Sequence, residues 1–252
     1  MSASLRDRVS PEEWAVRVDL AAAYRLVALY GWDDLIFTHL TARVPDSEHF
    51  LINPYGLLFE EITASSLVKI DGQGEKVEES PWPVNPAGFT IHSAVHEVRH
   101  DAVSVMHLHT VDGTAVSCME QGLLATNQTA MLVVHDLAYH EYEGIALDHA
   151  ERPRLQEDLG EHNVMLLRNH GTLTCGPTVA EAWFSMYALE RACSMQVRML
   201  AGGGAIHPAP AGIADKVAAT VKNPAFGPRV INRLAWPALR RKLDRLDPSY
   251  AQ

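Results

Sequence analysis

The chain predicts a single α/β domain with a short C-terminal tail, on three observations. Its 252 residues and 47% hydrophobic content suffice for one large core. Short β-branched apolar runs alternate with longer stretches of helical apolar spacing. A glycine- and proline-rich segment, residues 201–210, then separates a body (residues 1–205) from a tail (residues 206–252).

The elements follow in order. After a polar lead, Ser10, Pro11 and Glu13 have the spacing of a capping box. Helical apolar spacing runs from Trp14 to Tyr30, and Gly31 ends it. Leu35–Val44 and His49–Asn53 read as strands, with a turn at Asn53–Gly56. Leu57–Phe59 and Leu67–Asp71 read as further short strands, and Asp71–Gly72 turns the chain. Asn85 and Pro86 open a helix that reaches about Arg99. Ala102–His109 is apolar and β-branched, a buried strand. A short helix at Gly113–Met119, one or two strands within Ala130–Ala138 and a polar helix at Arg152–Gly160 come next. Asn163–Arg168 and Thr172–Cys175 form a predicted hairpin with His170 and Gly171 at its bend. Thr178 and Glu181 have the spacing of a second capping box, and the longest helix runs from there to about Leu200. The tail holds two weaker helices, Ile213–Val221 and Pro228–Leu246. Arg240, Arg241, Lys242 and Arg245 make the second one basic, either as a solvated face or as a surface for an acidic neighbouring subunit.

Charge and cysteine usage narrow the function classes. A net charge of −10 argues against nucleic acid and against anionic membrane as partners. Cys118, Cys175 and Cys193 form neither a zinc-ligand pair nor a disulfide framework, which suits buried small hydrophobes in a reducing cytoplasm. No N-terminal apolar region suggests a signal peptide, and no apolar run approaches the roughly 18 residues of a membrane span.

The chemistry concentrates in histidines. His107 and His109 lie two apart on the buried strand and therefore share a face. They can aim two imidazoles at one ion, or they can be two hydrogen-bonded histidines at a strand end. A third histidine from another strand would leave an open position, as catalytic metal sites do.

Seven stretches, in order along residues 11–205, resemble the class II aldolase/adducin family: FTHLTAR (37–43), FLINPYG (50–56), SSLVKID (65–71), NPAGFTIH (85–92), HLHT (107–110), YHEYEG (139–144) and NHG (169–171). The resemblance implies a three-layer α/β/α fold with a mixed, mostly antiparallel sheet. It also implies a divalent metal held by His107, His109 and His170. Zinc suits three imidazoles best; manganese, iron and cobalt are alternatives. Family members are commonly homotetramers with the site near a subunit interface.

Two positions depart from the aldolase pattern. Where the aldolases carry an acid/base glutamate, one turn before His92, this chain has Gly88. Where they cradle a phosphate, it has Thr38 and His39, Asn53 and Pro54, and Pro86 and Ala87. Gly88 is expected to open space beside the metal for a bulkier substrate, with Asn53 and Arg168 as further substrate contacts. Arg168 can steer a carboxylate or be an exposed strand arginine. His39 can be a fourth ligand, a general base or a core histidine. Tyr142 lies where relatives place a proton-donating tyrosine, and it can equally be a packed aromatic. Glu141 and Glu143 are the carboxylates nearest to it in sequence. His92, mid-helix and facing the same way as His96, reads as structural.

The leading functional expectation is a metal-dependent lyase. It would cleave a C–C bond of a hydroxy- or keto-acid, by retro-aldol reaction or decarboxylation, with His39 or Tyr142 moving the proton. A non-catalytic, adducin-like oligomerisation module and an Fe(II)-dependent oxygenase of phenolic or keto acids are the alternatives.

Overall fold

The computed structural model describes residues 4–145 and 149–252, the side chains of residues 86, 87 and 89 excepted. Its helices are α1 (Leu5–Arg8), α2 (Pro11–Tyr30), α3 (Pro86–Val98), α4 (Val111–Ser117), α5 (Gln128–Met131), α6 (Arg152–Leu159), α7 (Val179–Ala201), α8 (Ile213–Lys222), α9 (Gly227–Val230) and α10 (Trp236–Leu246). Its strands are β1 (His39–Arg43), β2 (Phe50–Ile52), β3 (Val68–Ile70), β4 (Ser104–Leu108), β5 (Leu137–His140), β6 (Val164–Leu167) and β7 (Gly171–Gly176).

The strands form one sheet in the order β3-β2-β1-β4-β7-β6-β5. Every neighbouring pair is antiparallel except β5 and β6. Period-two alternation sends side chains to opposite faces. Leu40, Ala42, Met106 and Leu108 pack under α2 and α7, while Val105, Met165, Leu167, Leu173 and Cys175 pack under α3 and α6. The result is the three-layer α/β/α arrangement, with β1 and β4 central. Their register places His39 directly opposite His107, both on the α3 side. Among the described residues no helix is long and apolar enough to cross a membrane.

Several local expectations change for identifiable reasons. The strand expected over Leu35–Val44 begins only at His39, because Leu35 (φ 53°) and Thr38 (φ 64°) are left-handed and cannot continue a ladder. Leu57–Phe59 is not a strand. Phe59 instead starts a 3-10 turn and packs edge-on against Tyr24, while the Glu61 carboxylate accepts the Leu58 N–H. In Ala130–Ala138, the Asn127 side chain caps a helical turn, so only Leu137–His140 is extended. Both capping boxes are half made. Ser10 and Thr178 accept the expected N–H groups. Glu13, however, is drawn to Arg17 and Lys69, and Glu181 to Asn232.

The tail lies back on its own chain. Trp236 Nε1 and Arg240 Nη1 both donate to Asp19 Oδ1, at 3.0 and 3.1 Å, so one arginine of the basic helix meets an acid of α2. The terminal carbonyls of Tyr250 and Gln252 accept from Ala64 and Ser65.

Candidate metal centre

His107 is the last but one residue of β4, His109 follows the strand, and His170 sits in the β6–β7 bend. One ligand nitrogen from each lies within 4.8 Å of the others. The bend needs its glycine. A Cβ on Gly171 would stand 2.5 Å from the Leu108 carbonyl oxygen and 3.1 Å from the His109 ring. Gly171 thus lets the hairpin close onto β4 and bring His170 to the pair. Asn169, at φ 57°, takes the left-handed step just before it.

The hydrogen bonds define which nitrogens face the centre. His107 Nδ1 lies 3.0 Å from the Thr172 carbonyl, which can only accept, so Nδ1 carries the proton. His109 Nδ1 lies 3.0 Å from the Asp34 carboxylate and likewise donates. The two Nε2 atoms face each other at 3.1 Å, the nitrogens left to offer lone pairs once each Nδ1 carries its ring's one proton. Two lone pairs at that distance repel unless a cation lies between them. Zn–N bonds of 2.0–2.1 Å at tetrahedral angles would set two such nitrogens about 3.4 Å apart. The donor set therefore fits a divalent ion. Burial holds His107 well below the ordinary imidazole range and lowers His170 to about 4, so both are neutral and ligand-ready at pH 7.

Asp34 escaped the sequence reading because it sits in the irregular loop before β1, where no periodicity marks it. It completes a carboxylate–histidine arrangement that fixes ring orientation and ligand basicity. Asp34→Asn should weaken zinc affinity by about 10- to 100-fold, read by chelator competition, with little change in urea midpoint of the metal-free protein. Unchanged affinity would mean the contact does not orient His109. Glu190, also missed, is a buried carboxyl pushed up to about 7 by burial. It accepts from Thr110 Oγ1 (2.5 Å) and Gly113 N (3.1 Å), tying down the corner that follows His109.

His39 stands beside the triad, its ring centroid 5.3 Å from that of His107. It is buried, which together with nearby His109 and His170 lowers it to about 3. Its Nδ1 meets His92 Nε2 at 2.8 Å. His92 Nδ1 meets Thr41 Oγ1 at 2.6 Å, and the same hydroxyl meets His96 Nε2 at 2.8 Å. The i, i+4 spacing of His92 and His96 was the visible signal for this chain, and Thr41 carried none. Gly88 corrects an expectation. A Cβ there would fall 2.4 Å from His39 Cδ2, so the space vacated by the missing side chain is filled by the His39 ring and is not open to substrate.

The other expected residues lie as follows. Tyr142 is half exposed, with its ring 5.8 Å from that of His170. Asn53 is buried, and its side chain is held by the Tyr24 hydroxyl at 2.9 Å. Arg168 donates to the Met119 carbonyl and lies over the Tyr139 ring. Glu143 pairs with Arg154. Thr38, a β-branched residue in the left-handed region, has a buried hydroxyl without a hydrogen-bond partner among the described residues. Such strain collects at functional sites.

This fold is that of a known class. The family description Class II Aldolase and Adducin N-terminal domain matches residues 18–197. The chain is 53% identical over 256 residues to a candidate aldolase class 2 protein of Pseudomonas aeruginosa, covering 100% of this chain and 98% of that one. It is 48% identical over 196 residues to alpha-adducin of Mus musculus, covering 76% of this chain and 26% of adducin. Among solved structures, an aldolase II superfamily protein from Pseudomonas syringae superposes with a TM-score of 0.92 at 49% identity, covering 99% of this chain and 100% of that one. L-fuculose 1-phosphate aldolase from Glaciozyma antarctica superposes with a TM-score of 0.83 at 25% identity, covering 100% and 96%. The chain belongs to the class II aldolase/adducin family.

Proposed function

We propose that this protein is a metal-dependent lyase that breaks a C–C bond of a small hydroxy- or keto-acid, by retro-aldol cleavage or decarboxylation. The observation that carries the reading is the facing pair of lone-pair nitrogens on His107 and His109, with both outer nitrogens committed to acceptors. His107, His109 and His170 hold a divalent ion, zinc by donor set, with manganese, iron or cobalt as alternatives. When bound, such an ion polarises a carbonyl oxygen and stabilises the negative charge that develops as the bond breaks.

The chain's own residues supply the rest. Three neutral ligands leave the ion's charge uncompensated, which favours an anionic, chelating substrate. His39 accepts the proton of the substrate hydroxyl. An arriving carboxylate raises its proton affinity, because an opposite charge nearby favours the imidazolium. Tyr142 returns a proton to the carbon left electron-rich. Its exposure suits a site completed in a homo-oligomer, a tetramer by family likeness. Thr38 offers its unpartnered hydroxyl to the substrate.

The likeness to alpha-adducin favours a second reading, a non-catalytic assembly module. The separating experiment is elemental analysis of untagged protein purified without added metal, beside the His107→Ala/His109→Ala variant. Near-stoichiometric zinc, manganese or cobalt, lost in the variant, is the expected result, followed by turnover in a screen of hydroxy- and keto-acids. Iron with substrate-dependent oxygen uptake would replace the lyase by an oxygenase. No metal in either protein after reconstitution would leave the assembly module.

A further inference from the structure

β1 and α3 meet along three rungs. His39, Thr41 and Arg43 alternate onto the one face of β1 that α3 covers. His39 fills the space beside Gly88, Thr41 meets His92 and His96, and Arg43 Nη2 donates to the His96 carbonyl at 2.8 Å. At ~3.3 Å per residue the third rung lies about 13 Å along β1 from the first, at the end away from the metal triad. A cleft of about 470 Å³ opens there. Its walls are Arg43, the Glu48–Phe50 stretch, the turn at Asp71 and Gly72, the last turns of α3 and Arg152 at the start of α6. Small-molecule sites run from roughly 300 to 1,000 Å³, so the cleft is large enough for a ligand.

Five buried side-chain polar atoms among the described residues have no hydrogen-bond partner, and three of them belong to residues lining this cleft: Arg43 Nε, His96 Nδ1 and Arg152 Nε. A buried polar group without a partner costs its desolvation, and three such costs at one place point to an absent partner. Both Nε atoms can only donate, so that partner is an acceptor. Each guanidinium is fastened by one close bond, Arg43 to the His96 carbonyl and Arg152 Nη2 to Glu97 at 2.8 Å. Turning toward an acceptor in the cleft therefore gives up at most one bond and gains the Nε bond that is now unmade. The carboxylates of the cleft do not supply the acceptor. Asp71 is held by the N–H groups of Gln73 and Glu75, and Glu97 by Arg152 and Gln156. Glu48 stands 3.6 Å from Arg43 with its side chain 94% exposed, a pair that water screens. We infer that the cleft is a second binding site, for a small tetrahedral oxyanion such as phosphate, held between Arg43 and Arg152. Two guanidiniums arriving from different elements suit an anion that offers acceptors in more than one direction. The neighbouring carboxylates oppose it, so the affinity expected is millimolar and falls with added salt.

This site does not depend on the lyase reading. The test is equilibrium dialysis of radiolabelled inorganic phosphate against the untagged full-length protein at low salt, beside the His107→Ala/His109→Ala variant. A metal ion at the triad can itself take phosphate, and that variant removes the competing place. Saturable binding is expected in both proteins. Arg43→Gln and Arg152→Gln should each weaken it about tenfold, the loss of one charge-assisted hydrogen bond. Glu48→Gln, at an exposed position that leaves the fold alone, should tighten it about twofold by removing an opposing charge. Thermal midpoints check that the variants are folded. If Arg43→Gln is not, Arg152→Gln and Glu48→Gln decide, and phosphate binding unchanged in both would overturn the inference. So would the absence of saturable binding up to about 20 mM phosphate, which would leave ordered water as the partner of the three nitrogens. Binding lost in the histidine variant and kept in the arginine variants would place the phosphate at the metal triad and overturn it as well.

Discussion

Gly88→Ala should destabilise the protein by about 1–3 kcal/mol, although a glycine-to-alanine change within a helix ordinarily stabilises it by about 1 kcal/mol. The added Cβ would stand 2.4 Å from Cδ2 and 2.8 Å from Nε2 of His39. That ring cannot easily yield. Its Nδ1 is bonded to His92, its far side meets His107, and its strand is paired on both edges by β2 and β4. Removing the ring removes the conflict, so the Gly88→Ala/His39→Ala double variant should be more stable than the sum of the single changes by at least about 1 kcal/mol. Urea midpoints of the four proteins make the cycle. Additivity within about 0.5 kcal/mol would show that the two residues do not compete for space. The same argument explains the departure from the aldolase pattern. A glutamate at 88 and a histidine at 39 are alternative occupants of one volume. Gly88→Glu alone should therefore fail to fold normally, whereas Gly88→Glu with His39→Asn, which removes the ring from that volume, should fold.

That mutual exclusion marks the limit of what the sequence discloses. The His-x-His pair was legible because a strand's period of two is fixed by backbone geometry, and the capped helices were legible for the same kind of local reason. The absence at Gly88 was legible too, but its meaning was not. An empty position and a position filled from the neighbouring strand look identical along the chain. Asp34 and Glu190 were invisible because each acts across a long sequence separation, 75 residues to His109 and 80 to Thr110, and no periodicity links such pairs. Thr41 reads as an ordinary β-branched strand residue until the register of β1 and the face of α3 are known together. The misread segments share another cause. In Phe59–Glu61 and Gln128–Met131, single side-chain caps from Glu61 and Asn127 override apolar content that suggested strand.

The buried histidines also make the metal-free protein acid-labile, well above the pH at which carboxylates protonate. In the unfolded chain an imidazole takes up a proton near pH 6.5. In the folded state burial holds His39 and His96 at about 3 and His92 well below its ordinary value. The unfolded state therefore binds more protons throughout that window. The stability these groups leave intact above pH 6.5 is lost as pH falls below it, at about 1.4 kcal/mol per unit for each histidine. Together the three give ~4 kcal/mol per pH unit, and His107 and His170 act in the same direction. Glu190 acts in the opposite sense. Its folded value near 7 lies above its unfolded one, so acidification below 7 returns stability at ~1.4 kcal/mol per unit. The histidines outnumber it. Against a typical total of about 5–15 kcal/mol, the loss brings the unfolding midpoint to roughly pH 5. Urea titrations of chelated protein at pH 7.5, 6.5 and 5.5 should show midpoints falling steeply across the last two, and less steeply in His92→Gln, which removes one of the refused protons. A flat profile from 7.5 to 5.5 would mean that the cluster is hydrated or already protonated.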